Sequence, residues 1–418
     1  MTQTYPRRRH VLYLTYDGLQ DPLGQSQILP YLRGLGEYGY TFDVISFEKR
    51  PSVRRRPAAV NHSMRWTALR YHKRPVLAAT IFDACQGFTA ASLAVVLGRT
   101  DLIHVRSTVP GAMVLPLAEC TQAPLVFDTR ALWTDEKVDV GGWKRGGVLH
   151  RMAQSIEAQL YRRANVITVL TNAMREFLRS RYPRRCEITA PIHVIPTCAS
   201  MDRFHPNTQP DPELARQLKG TNVLTYVGSL NGWYMAHEMA RFYLAWRKVA
   251  KPARFLLISH HPPGQIQAVL SAANIAHELV HRSGTADETA AYVACAHAGV
   301  CFRRPLFSTL ASAPTKVGEL LAAGVPVAAN RIGDLPSVLG GTGAGVLVDH
   351  MSDEELLRAA HSLHELATSG RSSLLARQIG ERWFSLSDGV RAYHEVYQLL
   401  TGGHAERRMV DLPWPREL

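Results

Sequence analysis

Two hydrophobic periods take turns along this chain. Short runs of β-branched and apolar residues predict strands, and longer stretches whose apolar positions recur about every three to four residues predict helices. The strand candidates of the first half are Val11–Thr15, Phe42–Ser46, Leu102–Val105, Leu125–Phe127, Val166–Val169 and His193–Ile195. Those of the second half are Leu224–Val227, Phe255–Ser259, Leu279–Arg282, Val300–Phe302, Val325–Ala329 and Gly345–Val348. Helical patterns lie between them, such as Gln27–Tyr38, which stops at Gly39 as a helix C-cap would. Strands spaced by helices predict βαβ units and parallel sheets, so the fold class is α/β. Pro, Asn, Asp and Thr accumulate between Pro196 and Leu218, which is linker composition. The expected architecture is therefore two Rossmann-like domains with a cleft between them, and ligands of such sheets bind beyond the carboxyl ends of strands.

The 418 residues suit two domains of about 200 residues each. Charge divides unevenly between them. Residues 1–200 hold 27 Lys and Arg against 15 Asp and Glu, whereas the remainder is nearly neutral. A basic first half predicts an anionic partner: a membrane surface, a lipid phosphate or a nucleic acid. The clusters Arg7-Arg8-Arg9, Arg54-Arg55-Arg56 and Arg184-Arg185 lack interleaved aromatics, and no helix-turn-helix or zinc-finger spacing occurs, so nucleic acid fits less well than lipid. The six cysteines are scattered without a CxxC pair and read as reduced thiols. With a polar start to the chain, the expected location is cytoplasmic, peripheral on the inner face of the membrane. Val76–Leu97 has the length of a membrane span, but an unpaired Asp83 at mid-bilayer would cost about 2.5–3.5 kcal/mol, so two helical pieces packed on a sheet are expected instead.

Candidate chemistry concentrates in Phe307–Val327. Pro314 stands where a helix can start, Ser312 precedes it as a cap, and the helix should run from Thr315 to Ala323 and stop at Gly324. A helix N-terminus presents free N–H groups and a positive dipole end, which suits phosphate. Lys316 adds a full charge there, and Glu319 one turn later can accept hydrogen bonds from ribose hydroxyls. An ordinary capped helix with solvated charges is the alternative.

This segment resembles the nucleotide-sugar site of the retaining GT-B glycosyltransferases of family 4. Their pattern places an acidic residue, seven others, then a glutamate followed by L-A-x-G-x-P-V; Glu319 with Leu321-Ala-Ala-Gly-Val-Pro-Val327 matches the second half. Other pieces follow in order. Tyr13–Leu19 with Pro22–Gln27 is similar to the first-strand loop, where Gly24 would contact donor phosphate. Val194-Ile-Pro196 with Asp202-Arg-Phe204 is similar to the close of the first domain. Tyr226-Val-Gly-Ser-Leu230 resembles the first strand of the second domain, and Gly333-Asp-Leu-Pro336 and Gly345–Val348 keep the usual order. Trp383 to Tyr397 is similar to the helix that crosses back. The resemblance implies an acceptor-side domain over 1–200, a nucleotide-sugar domain over 201–382, a crossover helix over 383–400 and a tail over 401–418. It also implies a UDP- or GDP-sugar donor, a saccharide or lipid-linked acceptor in cell-surface polysaccharide synthesis, retention of configuration and no required metal or other cofactor. Gly228, Ser229, Arg282, Pro314, Thr315, Lys316 and Glu319 join Gly24 on the donor side.

The departures matter. The first acidic position is Ala311, and Ser229 to Gly232 stand where relatives place an Arg and a Lys after a strand, so Lys316 is expected to take the diphosphate charge. Asp128-Thr-Arg-Ala-Leu-Trp-Thr-Asp-Glu136 is similar to an Asp-x-Arg-Gly-Phe-Trp variant in one branch. Asp128, Arg130 and Glu136 are the catalytic candidates, with His104, Arg106 and Asp135 on the acceptor side; a structural Asp–Arg pair is the alternative. His277-Glu-Leu-Val-His281 fits the zincin pattern HExxH, but Thr285-Ala-Asp-Glu288 reads as a capping box that opens a new helix, leaving Leu279–Arg282 as a strand. The fold also hosts epimerases and phosphorylases, and the departures leave a non-catalytic scaffold of an assembly complex open.

Overall fold

The computed structural model describes residues 9–49, 63–98, 100–182, 186–230, 232–402 and 411–415. The clusters Arg7-Arg8, Arg54-Arg55-Arg56 and Arg184-Arg185 lie outside these residues. The chain divides into two compact units, Met1–Pro196 with Ser387–Leu418, and Thr197–Leu386.

The first unit is built on β1 (Arg9–Thr15), β2 (Tyr40–Glu48), β3 (Met64–Arg70), β4 (Leu102–Arg106), β5 (Leu125–Asp128), β6 (Val166–Val169) and β7 (Ile192–Val194). All pair in parallel, in the order β3-β2-β1-β4-β5-β6-β7. The helices are α1 (Pro22–Gln27), α2 (Leu29–Glu37), α3 (Val76–Leu97), α4 (Thr108–Cys120), α5 (Trp133–Asp139), α6 (Val148–Arg163) and α7 (Asn172–Ser180). The central strands are buried on both faces, which is why they read as unbroken apolar runs.

Two expectations need correction here, and one strand was missed. Gln27–Tyr38 is not one helix: α1 ends at Gln27 and α2 starts at Leu29, because Pro30 has no N–H to continue the ladder and sits in a first turn instead. Gly39 does take a positive φ of 86° beyond α2. Val76–Leu97 is a single helix, not two pieces. Gly87 does not break it; the missing side chain lets α3 lie on Met113 and Phe47, where a β-carbon would meet Met113 Sδ at 2.4 Å. Strand β3 escaped the sequence reading because it is an edge strand whose residues after Met64 are mostly exposed.

The second unit begins at Thr197. The Pro-rich stretch of 206–212 leads into α8 (Pro212–Leu218), capped by the Asp211 carboxylate, which accepts the Leu214 N–H at 2.7 Å. Its sheet holds β8 (Asn222–Val227), β9 (Ala253–Ile258), β10 (Leu279–Arg282), β11 (Ala298–Cys301), β12 (Val327–Asn330) and β13 (Gly345–Val348), all parallel, in the order β10-β9-β8-β11-β12-β13. The last strand but one starts at Val327 rather than Val325, after Pro326. The helices are α9 (Ala236–Val249), α10 (Pro263–Leu270), α11 (Ala286–Val293), α12 (Thr315–Ala322), α13 (Leu335–Leu339), α14 (Asp353–Thr368) and α15 (Ser372–Phe384). Trp383 and Phe384 thus end α15, and α16 (Leu386–Thr401) returns the chain to the first unit. There Tyr393 stacks edge-on to Tyr31, and Tyr397 to Tyr40. The tail is also packed: Leu412 bridges to His193, and Trp414 is buried.

Helix α12 is held by close approach to α15. A β-carbon at Gly380 would stand 2.8 Å from the Ala322 nitrogen, and one at Gly318 would stand 2.7 Å from the Phe384 ring. Arg377 of α15 donates to the carbonyls of Met201, Phe204 and Ala322, at 3.1, 2.8 and 2.8 Å. At Gly324 a φ of 76° turns the chain out of α12. Gly380→Val should therefore destabilise the second unit by about 1–3 kcal/mol through overpacking against backbone; urea unfolding of the variant beside the wild type reads this.

Candidate active site

Four strand ends of the first unit form one row across its sheet. Register pairs Thr15 with Arg106, Arg106 with Asp128, and Asp128 with Thr168. Asp128 is buried and accepts from the Thr168 hydroxyl at 2.9 Å. Arg130 Nη1 stands 3.4 Å from it, His104 Nε2 3.7 Å and Arg106 Nη1 3.8 Å. Burial alone would raise the Asp128 carboxyl; Arg130, His104 and Arg106 outweigh it and hold it well below the usual range. Burial lowers the His104 imidazole despite the pull of Asp128, and its Nδ1 lies 2.7 Å from the Tyr397 hydroxyl. Arg106 also donates to Gln27 at 2.9 Å and faces Asp17 at 3.4 Å. The guanidinium of Arg130 is a different case. Its Nε and Nη2 are buried without a hydrogen-bond partner, beside the rings of Tyr13, Tyr31 and Tyr393. Two buried donors with no partner in the protein suit an oxyanion.

Asp128, Arg130, His104 and Arg106 are thus brought together. Asp135 and Glu136 stand apart on the first turn of α5, where the buried Asp135 carboxylate pairs with Arg145 at 3.1 Å. Gly24 packs on the turn after β1: a β-carbon there would come within 2.2 Å of the Gly18 carbonyl oxygen, so its identity is sterically required. Glu48 fixes that turn by accepting from the Leu19 N–H and the Ser46 hydroxyl, at 2.8 and 2.7 Å. Neither Asp17 nor Glu48 stood out in the sequence.

In the second unit the residues gather beyond β8, β9 and β11. Gly228, at φ 136°, passes beneath Lys316: a β-carbon would lie 3.2 Å from Lys316 Cε. The Tyr226 hydroxyl donates to the Ser229 carbonyl, and the Ser229 hydroxyl lies 3.0 Å from His261 Nε2. Pro314 is the N-cap residue of α12, and Thr315 starts it; Ser312 closes the preceding tight turn instead of capping. Burial would pull the Lys316 ammonium down, but the Glu319 carboxylate holds it above its ordinary value. Glu319 itself is pushed up by burial, against Lys316 and Arg203.

Arg303 follows β11 and was missed. Asn330 pins its backbone at 2.9 and 2.7 Å, its guanidinium lies 5.2 Å from the Tyr234 ring centre, and its buried Nε has no hydrogen-bond partner. The signal was available, since Phe302-Arg303 comes directly after a strand. Burial pushes the Cys301 thiol up to about 11 even though Arg303 and Lys316 both pull it down, so two cations flank this point. Arg282 is not with them. It lies on the edge strand β10 and donates to Gln217 at 2.7 Å. Ala311 is buried at the end of the turn before α12. The HExxH pattern forms no helix: Leu279–Arg282 is a strand, and the Thr285–Glu288 capping box is present.

Two family models match the sequence. The Glycosyl transferase 4-like domain covers residues 25–197, and Glycosyl transferases group 1 covers residues 221–365, together well over half of the chain. No curated protein matches it. Among solved structures the chain is similar to a sucrose-phosphate synthase from Thermosynechococcus elongatus, at 15% identity and TM-score 0.72 over 94% of this chain and 99% of that one. It is similar to Anabaena HepE, solved with UDP and glucose, at 13% identity and TM-score 0.62 over 94% and 99%. It is also similar to WaaG, a glycosyltransferase involved in lipopolysaccharide biosynthesis, at 16% identity and TM-score 0.64 over 94% and 100%. These likenesses give the fold as GT-B.

Asp128→Asn should destabilise the first unit by about 3–5 kcal/mol at neutral pH, since it strands buried cations. Because the folded carboxyl is held below its unfolded value of about 4, the contribution is complete above that pH and is lost as pH falls through the folded value. The gap between variant and wild type should therefore close in acid, as denaturant melts over a pH series would read.

Proposed function

The chain belongs to the group 1 glycosyl transferases, a glycosyltransferase of GT-B fold, and on that premise we propose that it moves a sugar from a UDP- or GDP-sugar to a saccharide or lipid-linked acceptor in cell-surface polysaccharide synthesis, with retention of configuration. The observation that carries the donor reading is the meeting of Lys316 with the side-chain-free Gly228 at the start of α12, with Arg303 alongside. The glycine leaves room for a phosphate against the backbone. The two cations and the free N–H groups of α12 would hold the diphosphate as it departs with the bonding electrons. They supply the charge that a metal would otherwise supply, so no metal is required. Glu319 would accept hydrogen bonds from the ribose.

A UDP-sugar is the donor favoured by the likeness to the Anabaena structure solved with UDP. On the acceptor side, Arg130 would hold an anionic group of the substrate, while Asp128 positions Arg106 and Arg130 rather than moving a proton, since its carboxyl is held ionised. The involvement of WaaG in lipopolysaccharide biosynthesis favours a lipid-linked acceptor. The enzyme would work in the cytoplasm, with its basic N-terminal unit against the anionic inner face of the membrane.

A panel of UDP-, GDP-, ADP- and CMP-sugars read by thermal melting tests the donor. One base should raise the melting temperature, a ligand at 100 times its Kd adding about 2.7 kcal/mol, and Glu319→Ala should abolish the rise. No shift with any donor, with or without lipid vesicles, would contradict the reading. Turnover should survive a chelator unchanged; a loss restored by added magnesium would contradict the metal-free mechanism.

A further inference from the structure

Helix α3 is inside out. Its buried positions are Ala79, Asp83, Gly87 and Ala91, four residues apart, so the stripe facing the sheet is made of small residues and one acid. Its large apolar side chains point away from the unit: Leu77, Ile81, Phe82, Phe88, Leu93 and Val96 are all exposed, Val96 by 80%. A helix of a water-soluble domain has the opposite pattern. Asp83 is the only charged residue in its 22. The hydroxyls of Thr80, Thr89 and Ser92 each turn back onto a carbonyl one turn earlier, at 2.8, 2.9 and 2.8 Å, so none of them requires water.

To span a bilayer the helix would have to leave the domain. Asp83 accepts from the Tyr16 hydroxyl at 2.8 Å and the His72 N–H at 3.1 Å, and its other oxygen lies 2.6 Å from His72 Nδ1. A span would strip these bonds from the carboxylate. The same helical layer carries a second apolar patch, because α4 packs against both α3 and α6, and Val148 and Met152 at the start of α6 are exposed. Exposed cations accompany both patches: Lys73 and Arg74 before α3, Lys144 and Arg151 around the start of α6. Apolar side chains with cations at their margin match the chemistry of an anionic lipid surface.

We propose that α3 lies in the plane of the membrane interface, with Leu77, Ile81, Phe82, Phe88, Leu93 and Val96 among the acyl chains and Lys73 and Arg74 on anionic headgroups. The proposal rests on the reading that the N-terminal unit meets a membrane and names the surface that does so. Co-sedimentation of the full chain with phosphatidylglycerol-containing and pure phosphatidylcholine vesicles tests it. The wild type should bind the anionic vesicles, and Ile81→Glu with Leu93→Glu should weaken binding by at least about tenfold, with an unchanged melting temperature, since both sites are exposed. Ile81→Ser with Leu93→Ser should weaken it in the same direction, and Lys73→Gln with Arg74→Gln should flatten its salt dependence. If the wild type binds and the α3 variants bind equally well, the membrane reading stands and α3 is not its surface. If the wild type binds neither vesicle, both fall. Self-association in analytical ultracentrifugation that the Glu variants abolish would assign the face to a second copy and overturn the proposal.

Discussion

Parallel strands all end on the same edge of a sheet, and this constraint assembles the chemistry of both units. In the first unit the register alone places Thr15, Arg106, Asp128 and Thr168 side by side. Residues from widely separated parts of the chain then share one buried environment, in which a single carboxylate stands among two guanidiniums and an imidazole. In the second unit the same rule brings Ser229 to His261 and sets Arg303 beside the residues that open α12.

Burying charge in such a row is costly unless each group has a partner. Asp128 meets that requirement and is held ionised, so its contribution is to keep the arginines charged and oriented. Arg130 is left with buried donors to spare, and Arg303 likewise. These are the points where the protein retains hydrogen-bonding capacity for something other than itself. The position of Lys316 depends on the close contact of Gly318 with the Phe384 ring, of Gly380 with the backbone of α12, and on the triple carbonyl grip of Arg377, so the helix that carries it has little freedom.

Much of this was legible along the chain, for physical reasons. Central parallel strands are buried on both faces, so the apolar runs at Leu102, Leu125 and Val166 announced themselves, and so did the residues next after them. Strand β3 did not, because an edge strand needs few apolar residues. The length of α3 was obscured by Gly87, whose role is close packing and not interruption. Lateral relations were not legible at all. Nothing local says that Arg145 occupies Asp135, that Arg282 turns to Gln217, or that Arg303 and Lys316 flank Cys301; each depends on register and on loops that cross between strands.

The central claim is that Lys316 meets the diphosphate of the donor. Isothermal titration of the nucleoside, its monophosphate and its diphosphate into wild type and Lys316→Ala tests it most directly. A charge-assisted contact of about 1.5–3 kcal/mol should appear as at least about a tenfold loss of diphosphate affinity, with nucleoside binding unchanged. Equal diphosphate affinity in the two proteins would contradict the account.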